Sequence, residues 1–514
     1  MNIYDSKTKN SSRNLIFGIF LKIYQLLVPF IIRTIIIKVL GMEYAGLNSL
    51  FTSILQVLNI AELGVGSALV YSMYKPIAEN DSKRICALMQ LYKIYYRIIG
   101  FVILVIGLSI TPILPHLIKG NIPSEINLYI LYYLNLSATV ISYWLFAYKN
   151  SLFQAHQRND IVSKITIITN TIQYILQISL LFIFKNYYYY VMILLFTQIL
   201  NNIFISFRAD KTFPTYKACG SLQKQEIKKI NNSIKDLFYG QLGLIITTSV
   251  DSIVISSFLG LLSLAIYQNY YYILNAIIGF FLIFYQSCRA SIGTNIISKS
   301  MEKNFEDYKF ITFIVMWALS FCISCLLCMY QPFIELWVGK ENMLDQLCVV
   351  LFGIYLLVYE LSLMIGTYKD ASGKWHKDRF RHLLTALFNL ITNIILVNVI
   401  GIYGILISTI LSYTFINIPW LYHRVFIDIF DKKYKKQYLF YLIKKISLLI
   451  FIVLINYLLC GFNKIHNLIF VLIINFIICT INSILIYYFF NKDDISLIRM
   501  IYILKKIIKT CFER

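Results

Sequence analysis

Apolar runs of about 20 residues, the length that crosses a hydrocarbon core about 30 Å thick, recur along the whole chain between short polar connections. They fall near residues 14 to 40, 46 to 74, 86 to 114, 125 to 148, 161 to 184, 187 to 207, 236 to 259, 262 to 288, 309 to 330, 346 to 368, 381 to 400, 403 to 422, 440 to 460 and 467 to 490. The pattern predicts an all-α polytopic membrane protein of about 14 transmembrane helices, with no stretch left for a separate soluble domain. Within these runs the polar residues are not scattered. Lys22, Gln25, Pro29 and Arg33 recur at helical spacing in the first, and Asn48, Thr52, Gln56, Asn59, Glu62 and Gly66 do so in the second. At about 100° per residue each set falls in one stripe. An unpaired polar group in hydrocarbon costs several kcal/mol, so the stripes are expected to face protein or water inside the membrane.

Further stripes follow: Thr166, Asn170, Gln173 and Gln177; Gln241, Thr248 and Ser252 with Asp251 beside them; Tyr271, Asn275 and Gln286; His382, Thr385, Asn389 and Asn393. Isolated polar residues of this kind also join helices through hydrogen bonds of about 0.6 to 2 kcal/mol. Aligned stripes in both halves of the chain favour a hydrated cavity over a dry bundle.

Charge sets the orientation. The chain carries 47 Lys and Arg against 25 Asp and Glu, a formal net charge of +22. Most of the basic residues cluster in alternate connections, and the opposite set holds only Lys38, Lys119, Lys185, Lys340 and Lys464. This asymmetry is that of a cytoplasmic-membrane protein with both termini in the cytoplasm, and it argues against nucleic acid as the partner. A hydrophobic fraction of 59%, a charged fraction of 14% and a mean hydropathy of +0.69 exclude an ordinary soluble domain. The polar N-terminus, MNIYDSKTKNSSRN, reads as no signal peptide. In the basic connection from Arg208 to Lys235, Ile227, Ile230, Ile234 and Leu237 are spaced as in an amphipathic helix lying on the inner leaflet. The C-terminal LIRMIYILKKIIKTCFER has the pattern of a basic surface helix.

Charges inside spans are the sharpest chemical clues, since each costs at least about 2.5 to 3.5 kcal/mol at mid-bilayer. Arg33, three turns beyond Lys22 on the same face, reads as an anion contact, because the guanidinium fork suits phosphate. Arg97 is placed evenly between cavity lining and snorkelling to the surface. Asn48, Gln56, Asn59, Asn275 and Asn389 complete the candidate substrate-binding set. Glu62, Asp251 and Glu360 are coupling or counter-ion candidates, Glu360 more readily a hydrogen-bonded structural acid. The ten Cys show no metal-ligand spacing and read as small core residues, so neither a metal nor a cofactor is expected. No phosphate loop, zinc-protease helix or nucleophile elbow is present, which leaves no catalytic set.

Laying residue 41 on 260 aligns LGMEYAGLNSLFTSIL (Leu40 to Leu55) with LGLLSLAIYQNYYYIL (Leu259 to Leu274). The match falls where a two-bundle transporter repeats, between spans 1 and 2 and spans 7 and 8. It divides the chain into a six-helix bundle at 1–207, a cytoplasmic basic linker at 208–235, a second six-helix bundle at 236–425, and two extra helices with a basic tail at 426–514.

With these residues in view, RTIIIKVLGMEYAGLN, AELGVGSALVYSMYKPIAENDSKRI, DSIVISSFLG, ELWVG and SGKWHKDRFRHLLTALFNL, in that order, resemble the Wzx-type polysaccharide repeat-unit flippases of the MOP exporter superfamily. The resemblance implies two bundles in a V, MATE-like, and alternating access. It implies that a polyprenyl-diphosphate-linked oligosaccharide moves outward through a cationic cavity while its tail stays in the lipid bilayer, for O-antigen or capsule synthesis. A polysaccharide polymerase and chain-length machinery are the implied partners. The sequence departs from the pattern at Thr385 and Ile418, where relatives are expected to carry acids. Two other readings stay open: a small-solute or multidrug antiporter of the same architecture, and a membrane polysaccharide polymerase, against which the short outer connections argue.

Overall fold

The computed structural model describes residues 3–512, except residues 121, 374–377, 379 and 464. Every regular element among the described residues is helical. In chain order these are α1 (Ile3–Val39), α2 (Met42–Leu58), α3 (Val65–Ala78), α4 (Ser82–Ile110), α5 (Leu128–Trp144), α6 (Asn150–Ala155), α7 (Asn159–Phe184), α8 (Tyr187–Thr212) and α9 (Lys224–Leu259). Then come α10 (Leu261–Ser298), α11 (Met301–Val338), α12 (Gln346–Ala371), α13 (Arg381–Ile400), α14 (Ile402–Ser412), α15 (Ile418–Asp428), α16 (Lys432–Gly461), α17 (Leu468–Asn491) and α18 (Ile495–Phe512).

Among the described residues twelve helices, some of them joined pairs, are long and apolar enough to cross a membrane, and a thirteenth span appears if the pair Leu128–Trp144 and Ala147–Ala155, bent by 50°, counts as one. The fourteen expected spans map onto these thirteen plus the apolar end of α9, Ile245–Leu259, which is shorter than the rest. Helix faces that meet no protein carry apolar side chains at helical spacing, as Ile94, Ile98, Phe101 and Val105 do on α4.

Besides that bent pair, two spans read as continuous in the sequence are broken. The second unwinds after α2 into a 3-10 turn, Asn59–Glu62, and restarts at α3 after Gly64. Gly64 has φ 83° and lies against α9, where an added Cβ would sit 2.8 Å from the Ile234 carbonyl oxygen, so both the backbone conformation and the close approach require glycine there. The twelfth holds a π-helical turn, Tyr413–Asn417, between α14 and α15. Pro419 follows it, lacking the N–H that would continue the regular ladder.

A difference from expectation lies in the basic connection. Its amphipathic stretch is not a separate surface helix but the first part of α9, continuous with the following span. Its apolar side packs on protein: Ile230 is buried, and Leu237 meets Gly64. Its polar side is tied to α4 by the Arg84–Glu226 ion pair and by Tyr95 donating to Asn231 at 2.6 Å. The aligned Leu-Gly pairs occupy equivalent places, since Gly41 joins α1 to α2 with φ 112° and Gly260 joins α9 to α10 with φ 90°.

The chain forms two compact units, Met1–Gln268 with His382–Leu390, and Asn269–Arg381 with Ile391–Arg514. In the first, α7 packs between α1 and α8, and α5 packs between α4 and α8. In the second, α11 is central and packs on α12, α16 and α17. Its core is aromatic: Tyr308 stacks on Tyr438 at 4.5 Å between ring centroids and on Phe430 at 5.4 Å, and Tyr438 hydrogen-bonds with Thr312 at 2.9 Å. The two C-terminal spans are therefore integral to this unit, with Tyr487 of α17 donating to the Phe313 carbonyl at 2.8 Å.

Candidate functional site

The break in the second span creates the site. Unwinding at Asn59–Glu62 turns Glu62 toward α4 and α5, where its carboxylate accepts from the Tyr96 hydroxyl at 2.5 Å and the Tyr143 hydroxyl at 2.8 Å. Tyr143 also lies 3.2 Å from Asn59 Oδ1, and Tyr92 and Tyr96 share a hydrogen bond at 3.0 Å. Among the described residues the partners of Glu62 are phenols and not cations. Glu62 and Asn59 form one wall of a cavity of about 400 Å³ inside the first unit. Thr139 and Ser142 of α5, Thr166 of α7, and Gln198, Asn201 and Asn202 of α8 form much of the remainder. The lining contains one carboxylate and neither Lys nor Arg, so its chemistry is that of hydroxyls, amides and a single acid.

Hydrogen bonds between spans hold these walls in place. Thr169 donates to Asn201 at 3.0 Å, Asn202 to the Ser142 carbonyl at 2.8 Å, and Thr197 to Gln173 at 2.9 Å. Gln177 is buried and donates to the Tyr190 carbonyl at 3.0 Å. The stripe of the fifth span thus does both things asked of it: Thr166 lines the cavity, while Gln173 and Gln177 fasten α7 to α8.

The remaining candidates disperse. Arg33 is half-buried; its guanidinium donates to the Ser49 hydroxyl at 3.1 Å and to the Ala265 carbonyl at 3.1 Å, joining α1 to α2 and α10. Lys22, on the same stripe, is exposed, and so is Gln56. Asn48 is half-buried and accepts from Tyr187 at 3.0 Å. Arg97 is exposed beside Ile94 and Ile98, and its carbonyl accepts from the Trp144 indole at 3.1 Å. Asn389 and Asp251 are buried, and Asn275 is exposed. In the second unit Glu360 is fully buried within α12 and accepts from the Tyr285 hydroxyl at 2.9 Å.

Sequence reasoning passed over Tyr96, Tyr143, Thr139, Ser142, Asn201 and Asn202. A signal was there: Thr139, Ser142 and Tyr143 share a helix face, and Asn201 with Asn202 is an amide pair within an apolar run. It also missed a buried ionic network in the second unit. There Asp378 pairs with Lys369 and with Arg381 at 3.0 Å, and Arg381 donates to Asn417 of the π-helical turn at 2.8 Å. Ser362 donates to the same Asn417 oxygen at 2.7 Å.

A family model described as polysaccharide biosynthesis protein matches residues 11–288, a stretch that contains every residue lining this cavity. Compared with curated proteins by sequence, the chain has no match. Among solved structures it is similar to the lipid II flippase MurJ in an inward closed conformation, with TM-score 0.66 and 15% identity, covering 93% of this chain and 99% of that one. It is also similar to an inward-facing multidrug resistance MATE transporter of the MOP superfamily, with TM-score 0.60 and 15% identity over 76% and 93% of the two chains. A third likeness is a MOP superfamily transporter from Pyrococcus furiosus whose binding pocket is described as reversed in polarity, with TM-score 0.51 and 15% identity over 81% and 95%. At this identity the likenesses establish the fold, which is that of the MurJ and MATE proteins.

Proposed function

Because the chain belongs to the family of polysaccharide biosynthesis proteins and has the fold of flippases and exporters, we propose that it moves polyprenyl-diphosphate-linked oligosaccharide repeat units from the cytoplasmic to the outer leaflet of the cytoplasmic membrane. The observation that carries this reading is the family match over residues 11–288, which spans both Arg33 and the polar cavity of the first unit. Amides and hydroxyls such as Asn59, Thr139, Gln198 and Asn201 offer paired donors and acceptors of the kind that sugar hydroxyls require. Arg33, held in position by Ser49 and Ala265, supplies a fixed positive charge for the diphosphate. Glu62 is the coupling group, a carboxylate held by two phenols at the cavity wall. In this reading both termini lie in the cytoplasm, which the distribution of Lys and Arg supports.

A second reading, cation-coupled export of a small solute, draws on the single acid of a compact cavity and on the likeness to the MATE fold. Reconstitution separates the two. Proteoliposomes containing the protein and a polyprenyl-diphosphate-linked oligosaccharide are probed with an external sugar-binding lectin. The flippase reading expects time-dependent exposure of the sugar and its loss in Arg33→Ala at unchanged protein level. Exposure no faster than in empty liposomes, together with export of a cationic dye, overturns it in favour of the antiporter.

A further inference from the structure

Three cysteines far apart in sequence meet in the second unit. Cys328 of α11, Cys460 at the end of α16 and Cys479 of α17 are all buried, and their three Sγ atoms lie within 4.8 Å of one another. All three are free thiols. Cys325, one turn before Cys328, and Met329 pack against them, so two more soft sulfur atoms stand at the wall. Phe321 and Ile478 supply apolar surface around the group. The helices carrying the thiols are fixed near this level: Asn475 donates to the Cys328 carbonyl at 2.9 Å, and Asn456 bridges Ser324 at 3.0 Å and Ser483 at 3.3 Å.

Small core residues on three helices have no reason to bring their sulfur atoms to one point, since alanine or valine would fill such positions as well. A metal does give a reason. With metal–sulfur bonds of about 2.3 Å and a tetrahedral angle, ligating sulfurs stand about 3.8 Å apart. The 4.8 Å limit on their present separation is about 1 Å wider than that spacing. Among thiophilic ions, zinc in structural sites takes four ligands, whereas the sulfur atoms that lie within 4.8 Å of one another here are three, with Cys325 outside that set. Soft thiol and thioether donors select copper(I), which accepts two or three of them. Charge points the same way, because Phe321, Cys325, Met329 and Ile478, which pack on the group, bring no charge to it. One thiolate with two neutral sulfur donors balances a monovalent cation, and an uncompensated charge at this depth would be costly.

We propose that Cys328, Cys460 and Cys479 form a binding site for a soft monovalent cation of the copper(I) class, inside the membrane unit and separate from the polar cavity. Binding exchanges one thiol proton, released to water, for a copper–sulfur bond, with no change of oxidation state. The assignment does not rest on the transport reading.

The test uses the full chain, purified in detergent under anaerobic, reducing conditions and titrated with copper(I) held by bicinchoninate. The expected result is removal of one copper per chain from the chelator, a rise in unfolding temperature, and a copper absorption-edge spectrum with sulfur neighbours only. Silver(I) reproduces the rise and zinc(II) does not. Each of Cys328→Ser, Cys460→Ser and Cys479→Ser weakens the uptake and the triple variant loses it, while Cys322→Ala on the same α11 keeps it. Where a serine variant does not yield monodisperse protein, the alanine variant at that position replaces it. Failure to compete with the chelator overturns the proposal. So does uptake that survives removal of all three thiols, and so does a preference for zinc(II).

Discussion

Glu62 and Glu360 are two acids within membrane spans, each held by tyrosine, in two very different settings. Glu62 stands on a 3-10 turn, accepts from two phenols and faces a cavity lined by amides and hydroxyls. Glu360 stands in the unbroken α12, accepts from the single phenol of Tyr285, and is enclosed by buried neighbours such as Leu361 and Met364. Its second oxygen, Oε1, has no hydrogen-bond partner among the described residues. The difference teaches that an acid in a membrane span is not functional by its charge alone. A broken helix and polar neighbours give Glu62 a place on a cavity wall, and their lack leaves Glu360 enclosed in the packed interior of its unit.

That contrast is open to direct attack. The largest effect is expected at Glu62: Glu62→Gln should lower transport in proteoliposomes by at least about tenfold with the unfolding temperature nearly unchanged, whereas Glu360→Gln should leave transport within about twofold. Equal losses in both would erase the distinction. Next in size, Glu360→Ala strands the Tyr285 hydroxyl and opens a void, at a cost of about 2 to 3 kcal/mol, visible as a drop in unfolding temperature larger than that of Glu62→Ala. Access is read chemically: a cysteine placed at Gln198 should react with a charged methanethiosulfonate reagent, and one placed at Leu361 should not. Labelling at Leu361 would show that the second acid is open to water after all. Tyr143→Phe, which leaves Tyr96 in place, should cost about 1 kcal/mol, measured by denaturation in detergent.

A third carboxylate, Asp494, sets the baseline at the end of α17. Burial pushes its carboxyl up, while Lys445 at 2.8 Å and the Ser496 backbone N–H pull it down, and the balance leaves it below the ordinary value. A depressed folded-state pKa adds stability above the unfolded value of about 3.9, lost as pH falls through the folded value. Asp494→Asn should therefore shift the unfolding temperature at neutral pH, with the difference from the parent shrinking in strong acid.

Much of the helical layout was legible, because long apolar runs leave little freedom in how they fold. The positions of Glu62 and Asn59 on one stripe were readable too. Their partners were not: Tyr96 and Tyr143 lie 34 and 81 residues from Glu62 in sequence, and such pairings are set by tertiary packing. The stripe shared by Lys22 and Arg33 illustrates the limit of periodicity. Both residues sit on one face of α1, yet only Arg33 reaches a level where α2 and α10 offer partners. The cysteines show the same limit, since spacing along the chain reveals nothing of a meeting of three helices. The continuity of α9 escaped notice for another reason: its basic first half and apolar second half look like different elements when each is judged by composition.

That continuity has a mechanical corollary. A 36-residue helix spans about 54 Å, and α9 contains no proline along that length. Pinned to α4 at its charged beginning and ending at the one-residue Gly260 link, it behaves as a stiff strut. Tugging one extremity displaces the opposite one, so whatever grips the charged beginning is felt across the thickness of the bilayer.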